Sequence, residues 1–130
     1  MSVLLAFHLK QHYEQITNEN HANKDKINIK NKNMRIYQNL TYNRVFPNSK
    51  LDIITPVDMS SNAKLPFIFW MHGGGYIAGD KQYKNPLLAK IAERGYIVVN
   101  VNYALAPQYK YPTPLIQMNQ ATQFIKENKM

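Results

Sequence analysis

Apolar residues occur along the chain in short uninterrupted runs and at helical spacings, with polar stretches between them. Residues 35–42 and 50–55 are predicted as two short strands joined by the turn-rich residues 46–49. The run at residues 66–71 has no polar alternation, which indicates a strand covered on both faces, as in the centre of an α/β sheet. Residues 96–101 predict a second buried strand for the same reason.

Two helices are predicted on either side of this second buried strand. The first has Asn85 as its N-cap and Pro86 at its first position, and Gly95 ends it as a left-handed C-cap. The second opens at Thr113 and Pro114. The apolar faces are expected to hold Leu87, Leu88, Ile91 and Ala92 in the first helix and Leu115, Met118, Thr122 and Ile125 in the second. Strand, helix, strand and helix in this order require a parallel crossover, so the predicted fold class is α/β, with a mixed, mostly parallel sheet flanked by helices.

The chain before residue 34 has a different pattern. Residues 2–17 are predicted as a helix, and the Asn- and Lys-rich residues 18–33 as an exposed connector. The face of this first helix is formed by Leu5, Leu9, Tyr13 and Ile16. We therefore expect residues 1–33 to be a helix and polar connector, and residues 34–130 to hold the α/β domain.

Composition and charge narrow the classes of function. The formal charge is +8, but the basic residues are scattered or lie in the Asn-rich connector, so nucleic acid is not an expected partner. The chain has no cysteine, which excludes disulfides, thiol catalysis and Cys-ligated metals and fits a cytoplasmic location. The apolar start of the chain is interrupted by His8 and Lys10, so no membrane span is expected there.

The strongest chemical signal is a cluster of glycines. All five lie between Gly73 and Gly95, and three are consecutive directly after the apolar run at residues 66–71. Without Cβ atoms, such a segment can turn sharply and direct amide N–H groups into an open site. Amides of this kind stabilise the negative oxygen that develops when an ester carbonyl is attacked.

Several motifs, in order, resemble those of the hormone-sensitive-lipase-like esterases, a branch of the α/β-hydrolases. His-Gly-Gly-Gly-Tyr at residues 72–76 resembles the HGGG oxyanion loop of that family. Gly-Asp-Lys at residues 79–81 is similar to the segment that follows the loop. Asn-Tyr-Ala-Leu-Ala-Pro at residues 102–107 resembles the Y-R-L-A-P segment, with Ala104 in place of the usual Arg. Leu-Asp-Ile at residues 51–53 and Tyr-Pro at 111–112 complete the likeness, while Gln117 stands where many relatives have Asp.

The resemblance implies the fold, the chemistry and the site. It implies hydrolysis of a small carboxylic ester through a serine acyl-enzyme, without a metal or cofactor. The amides of Gly74 and Gly75 would be oxyanion donors. Supporting positions would be His72, Gly73, Tyr76, Asp80 and Tyr103, with Tyr76 also walling an acyl pocket. Trp70 is expected to be a packing residue.

The triad that this chemistry needs is not in the sequence. The family order is a Ser in G-x-S-x-G, then an acid, then His. The only serines are Ser2, Ser49, Ser60 and Ser61, and no histidine follows His72. We therefore expect residues 34–130 to be the incomplete, N-terminal part of an α/β-hydrolase domain, inactive alone. We also expect residues 67–71 to form an apolar sheet edge that drives self-association.

Two other interpretations remain open at this stage. A nucleotide-binding Rossmann-like module could use residues 73–79, since Gly73, Gly75 and Ala78 fit G-x-G-x-x-G/A. Against it, residues 81–84 intervene before the next helix, and Asn102 stands where a ribose-binding acid is expected. A P-loop would need Lys where Asp80 stands. The other alternative is a non-catalytic remnant or half of a split enzyme.

Overall fold

A computed structural model describes residues 34–57 and 64–128 of the chain. The helix and the connector predicted before residue 34 lie outside these residues. The strands are β1 (Met34–Thr41), β2 (Lys50–Pro56), β3 (Phe67–Met71) and β4 (Ile97–Val101). A 3-10 helix (Lys81–Lys84) leads into helix α1 (Asn85–Glu93), and helix α2 (Thr113–Asn128) follows β4.

The four strands form one sheet in the order β1-β2-β4-β3. β1 pairs with β2 and β2 with β4 in antiparallel fashion, while β3 and β4 are parallel. The mixed α/β sheet is thus confirmed, but parallel pairing does not predominate among the described strands. The short link between β1 and β2 permits only an antiparallel pair, whereas α1 provides the longer crossover that parallel strands require.

The central strands β2 and β4 are covered on both faces, as the apolar run of β4 predicted, whereas β3, for which the same cover was expected, lies at the sheet edge and is only half-buried. On one face, Leu51, Ile53 and Val99 pack with Ala121 and Ile125 of α2. On the other, Ile54 and Val98 pack with residues of α1 in a second cluster. The α1 contributions to that cluster are Leu88, Ala89 and Ala92. The sheet therefore lies between α2 and α1, and alternate residues of each central strand serve opposite cores.

The predicted start of α1 is wrong in one respect. Lys84 is the N-cap, with no side-chain capping bond, and Asn85 is the first helical residue, followed by Pro86. The Asn85 side chain is buried and donates from Nδ2 to Asp52 Oδ2 at 3.1 Å. The end of the helix agrees with the prediction, since Gly95 has φ +99° and its amide donates to the Ala92 carbonyl.

The buried faces of the helices also differ from those expected. In α2 the buried residues are Pro114, Gln117, Ala121 and Ile125, so only Ile125 of the predicted face is buried. Leu115 is 50% exposed, and in α1 Leu87 is 47% exposed. The α2 face is rotated because its amphipathic signal is weak and Gln117 makes buried hydrogen bonds that an apolar pattern does not register.

No helix within the described residues is both long and apolar enough to cross a membrane.

Candidate active site

The triple-glycine segment forms a tight irregular turn directly after β3. Gly74 has φ +135° and Gly75 has φ +61°. The amides of Ile77 and Ala78 both donate to the Gly74 carbonyl, at 3.1 and 3.2 Å. A Cβ on Gly74 would overlap the carbonyl of Ala78. The turn therefore requires glycine at position 74 both for its backbone angle and for its close approach to residue 78.

The amides of Gly74 and Gly75 are left unbonded by this turn. Gly75 is exposed and Gly74 is partly so, and neither belongs to a helix or strand. Within residues 34–57 and 64–128, neither amide N–H donates a hydrogen bond. Partly accessible N–H groups without an internal acceptor are free to bind an anionic or carbonyl oxygen from outside the chain.

The entry to the turn is held by His72 and Tyr103, both buried. The Tyr103 hydroxyl donates to the His72 carbonyl oxygen at 2.6 Å, and the two rings stack with centroids 4.4 Å apart. Gly79 returns the chain against the imidazole, since a Cβ there would lie 2.5 Å from His72 Nδ1. Tyr103, which follows β4 by two residues, thus connects the ends of two neighbouring strands.

The imidazole of His72 is kept neutral by its surroundings. Burial lowers the pKa of His72 from its ordinary value, while the carbonyl of Gly73, 2.9 Å from Nδ1, and the charge of Asp80 oppose that shift. Nε2 is buried and has no hydrogen-bond partner among the described residues. The buried ring thus packs between Gly79 and Tyr103 at the entry of the turn.

Tyr76 lies on the solvent-exposed side of the turn, and Asp80 lies at its end, directly before the 3-10 helix. Tyr76 has φ +61°, unusual for a bulky residue, and its carbonyl accepts from the amide of Ala106 at 2.8 Å. Its side chain is 56% exposed and lies 5.8 Å from the Tyr103 ring. Asp80 Oδ1 accepts from the Gln82 amide at 3.0 Å and caps the 3-10 helix. The structure therefore gathers every predicted site residue in or against one turn.

A model of the BD-FAE family matches residues 51–130, more than half of the chain. The chain belongs to the BD-FAE family. The matched region begins in β2 and includes the glycine turn, β4 and α2.

Similar proteins include esterases and other α/β-hydrolases. Tuliposide A-converting enzyme 2, chloroplastic, from Tulipa gesneriana is 41% identical over 59 residues, which are 43% of this chain and 15% of that protein. Esterase LipQ from Mycobacterium tuberculosis is 28% identical over 79 residues, which are 60% of this chain and 19% of LipQ. The chain thus spans well under two thirds of the curated relatives that it matches.

The fold comparison agrees with the family. Esterase B from Lactobacillus Rhamnosis, in a crystal structure with a tributyrin phosphonate inhibitor, superposes with a TM-score of 0.83 at 17% identity. The match covers 98% of this chain and 41% of esterase B. The resemblance to hormone-sensitive-lipase-like α/β-hydrolases, and the α/β-hydrolase fold itself, are therefore confirmed.

A buried polar cluster beside the turn of this BD-FAE protein was not predicted from the sequence. Lys81 Nζ and Asp52 Oδ1 form an ion pair at 2.8 Å, and both side chains are buried. Asn39, Asn85 and Asn100 surround the pair. Asp52 and Lys81 lie in the motifs at residues 51–53 and 79–81, but neither motif indicated that the two side chains form a pair. The available signal was a carboxylate inside an otherwise apolar strand, which requires a buried partner.

Gln117, which stands where many relatives have Asp, is fully buried and hydrogen-bonded. Its Oε1 accepts from the amide of Ala104 at 2.8 Å. Its Nε2 donates to the Pro47 carbonyl at 3.1 Å and to Ser49 Oγ at 3.0 Å. The glutamine therefore joins α2 to the segment after β4 and to the β1–β2 link.

Within the part of the chain that the structure describes, no group of three or more His, Cys, Asp or Glu residues could hold a metal ion.

Proposed function

We propose that this chain supplies the oxyanion-hole part of a serine carboxylic-ester hydrolase. The observation that carries the proposal is that the amides of Gly74 and Gly75, which follow β3, donate to no acceptor among the described residues. When a serine hydroxyl attacks an ester carbonyl, the carbonyl π electrons move onto its oxygen. The two N–H groups would donate hydrogen bonds to that oxygen in the tetrahedral intermediate.

The remaining catalytic groups come from outside this sequence. After Asp80 its only carboxylates are Glu93 and Glu127, and it has no serine or histidine after the turn. The nucleophile, the acid and the base are therefore supplied by other residues, and the amide following that nucleophile completes the oxyanion hole. We accordingly expect the 130-residue chain alone to be inactive.

The supporting residues keep the turn in its active shape. His72, with Gly73, forms the entry, and Tyr103 holds that entry through its hydroxyl. Asp80 caps the 3-10 helix at the exit. Tyr76 projects outward beside the amides and would form one wall of the acyl pocket.

The substrate we propose is a small ester with a short acyl chain. LipQ is named an esterase, and esterase B takes a tributyrin phosphonate inhibitor, whose acyl groups are short. The exposed Tyr76 ring is compatible with such a substrate. We also propose a cytoplasmic location, on the lack of cysteine in the sequence.

A nucleotide-binding role is less well supported. Phosphate sites of the Rossmann type place the ligand at the N-terminus of an α-helix directly after the glycine turn. Here the 3-10 helix Lys81–Lys84 intervenes, and its N-cap, Asp80, carries a negative charge that would repel phosphate. Asn102, in place of the ribose-binding acid, binds Lys81 and Asp80 instead.

The decisive experiment measures p-nitrophenyl acetate hydrolysis by the chain with and without a polypeptide that carries the G-x-S-x-G segment, the acid and the base. We expect turnover only in the mixture. Gly74→Ala should then lower kcat by about 10²–10³-fold, because an oxyanion donor is displaced. Lys84→Ala, an exposed change in the following helix, is the control and should leave kcat unchanged. Turnover by the chain alone, or an unaltered kcat in Gly74→Ala, would contradict the proposal.

The outer edge of β3 is the basis of a second proposal, that the chain self-associates. Among the described strands, β3 pairs only with β4, and its other edge is unpaired. Phe67 and Phe69 stack on this strand with ring centroids 6.4 Å apart. An apolar strand with unpaired backbone groups favours pairing with another chain.

A further inference from the structure

Lys81 is hydrogen-bonded through its amide, its carbonyl and its side chain. Its amide donates to Asn102 Oδ1 at 2.8 Å, and its carbonyl accepts from Asn100 Nδ2 at 2.6 Å. Its ammonium group contacts Asp52 Oδ1 at 2.8 Å and Asn39 Oδ1 at 2.7 Å. One residue is thus bonded through its main chain to the β4 region and through its side chain to β1 and β2.

A bulge in β1 makes the side-chain contacts possible. The pairing register with β2 shifts between Tyr37 and Leu40, and Asn39 adopts φ +58° inside the bulge. Asn39 thereby directs its amide to Asp52 Oδ1 at 2.8 Å as well as its side-chain oxygen to Lys81. Bulges of this kind re-aim a residue out of the regular ladder.

The charges of Asp52 and Lys81 are paired with each other and hydrogen-bonded to neighbouring groups, so the positions of both side chains are tightly constrained. Asp52 accepts from Asn39 and Lys81 through Oδ1 and from Asn85 through Oδ2. Two buried charges are tolerated only when such hydrogen bonds satisfy them, and small displacements then cost much. These directional bonds hold the Lys81 ammonium group at one position.

Lys81 is also the first residue after the glycine turn. The turn enters from β3 through His72, whose carbonyl is fixed by Tyr103, and it leaves through Asp80 into Lys81. Fixing Lys81 therefore fixes the distance between the two ends of the turn, and with it the directions of the Gly74 and Gly75 amides.

We propose that Lys81, held by Asp52 and by Asn39 of the β1 bulge, is a positioning residue for the oxyanion turn. The proposal rests on the proposed function, since it assigns Lys81 to the site formed by Gly74 and Gly75. Lys81 does not contact the reacting atoms; it acts through the chain that it anchors.

The test is residue-resolved amide hydrogen exchange on the 130-residue chain. The reporters are the Ile77 and Ala78 amides, whose bonds to Gly74 close the turn, compared with Val98 and Val99 in central β4. In Lys81→Met we expect exchange at residues 77 and 78 to accelerate at least about tenfold, with β4 changing less than about twofold, because the turn opens locally. Lys84→Met, the same change at an exposed position of the same 3-10 helix, should alter neither group.

A milder variant keeps the test decisive if Lys81→Met does not fold. Asn39→Gly preserves the left-handed backbone and the amide bond to Asp52, and removes the side chain whose Oδ1 accepts from Lys81. Through loss of the Lys81–Asn39 hydrogen bond, it should accelerate residues 77 and 78 selectively, though less than Lys81→Met. Equal acceleration of the turn and of β4, or no acceleration of the turn, would overturn the proposal, because Lys81 would then serve general stability or nothing.

Activity separates this proposal from the function on which it rests. In the assembled esterase, Lys81→Met should lower kcat with little change in KM, since the oxyanion forms only in the transition state. If the wild-type assembly shows no esterase activity, the proposed function fails, while the exchange measurement still decides whether Lys81 positions the turn.

Discussion

His72 stacks on Tyr103, packs against Gly79 and leaves Nε2 without a partner among the described residues. Burial lowers its pKa below the ordinary value of 6.5, so the folded state prefers the neutral ring. Below pH 6.5 the unfolded chain binds a proton that the folded chain does not yet bind. The stability contributed by His72 is therefore complete above that pH and is lost as the pH falls toward the lowered pKa.

We accordingly expect the free energy of unfolding to fall between about pH 7.5 and about pH 5.5, as the unfolded histidine titrates. In His72→Gln this part of the pH dependence should disappear, because the group that titrates is gone. Urea unfolding of both proteins at several pH values measures it, and the difference removes the contribution of the three other histidines. An identical slope in both proteins would show that His72 is not coupled to folding.

The residues of the turn were predictable because their chemistry is local. Three consecutive glycines after an apolar run predict a sharp turn, and the neighbouring motifs place His72, Asp80 and Tyr103 beside it. The Asp52–Lys81 pair was not predicted, because 28 residues separate the two positions along the chain and a bulge in β1 helps to bring them together. Such contacts depend on sheet register, which a single sequence does not reveal.

At the scale of elements, strands were predicted more accurately than helix faces. Both apolar runs lie within a residue of the observed bounds of β3 and β4, and the burial that they predict is complete in β4 but only partial in β3. In α2 the polar Gln117 is fully buried while Leu115 is half exposed. Periodicity treats glutamine as a surface residue, so the predicted face was rotated away from the true one.

The hydrogen bonds of Gln117 are expected to stabilise the attachment of α2 to the rest of the fold. Gln117→Ala leaves the Ala104 amide and the Pro47 carbonyl without this partner and opens a cavity. We expect a loss of about 2–4 kcal/mol in the free energy of unfolding. The control is Gln123→Ala on the exposed side of α2, where only an exposed hydrogen bond to Glu127 is lost. It should cost less than about 0.5 kcal/mol, and equal losses in a chemical denaturation series would refute the assignment.

At the scale of the whole molecule, one sheet supports two cores and the turn. β2 and β4 contribute alternate residues to the core on the α2 side and to the core on the α1 side. On the α1 side, the apolar core gives way to the buried polar cluster around Asp52 next to the turn. The antiparallel pairs on one side of β4 thus anchor the bulge and the ion pair. The parallel pair on the other side presents the glycine turn at the end of β3.

The outer edge of β3 makes a final prediction at this scale. Phe67 is 38% exposed on a strand whose outer edge is unpaired among the described strands, so a charge there should oppose pairing with another chain. In sedimentation velocity over a range of concentrations, we expect the unmodified chain to form larger species and Phe67→Lys to shift toward monomer. Leu87→Lys introduces the same charge at a residue of similar exposure on α1, away from the sheet edge, and should leave the distribution unchanged. If both variants dissociate equally, net charge rather than the edge governs association, and if the unmodified chain sediments as a clean monomer, the edge does not drive association at all.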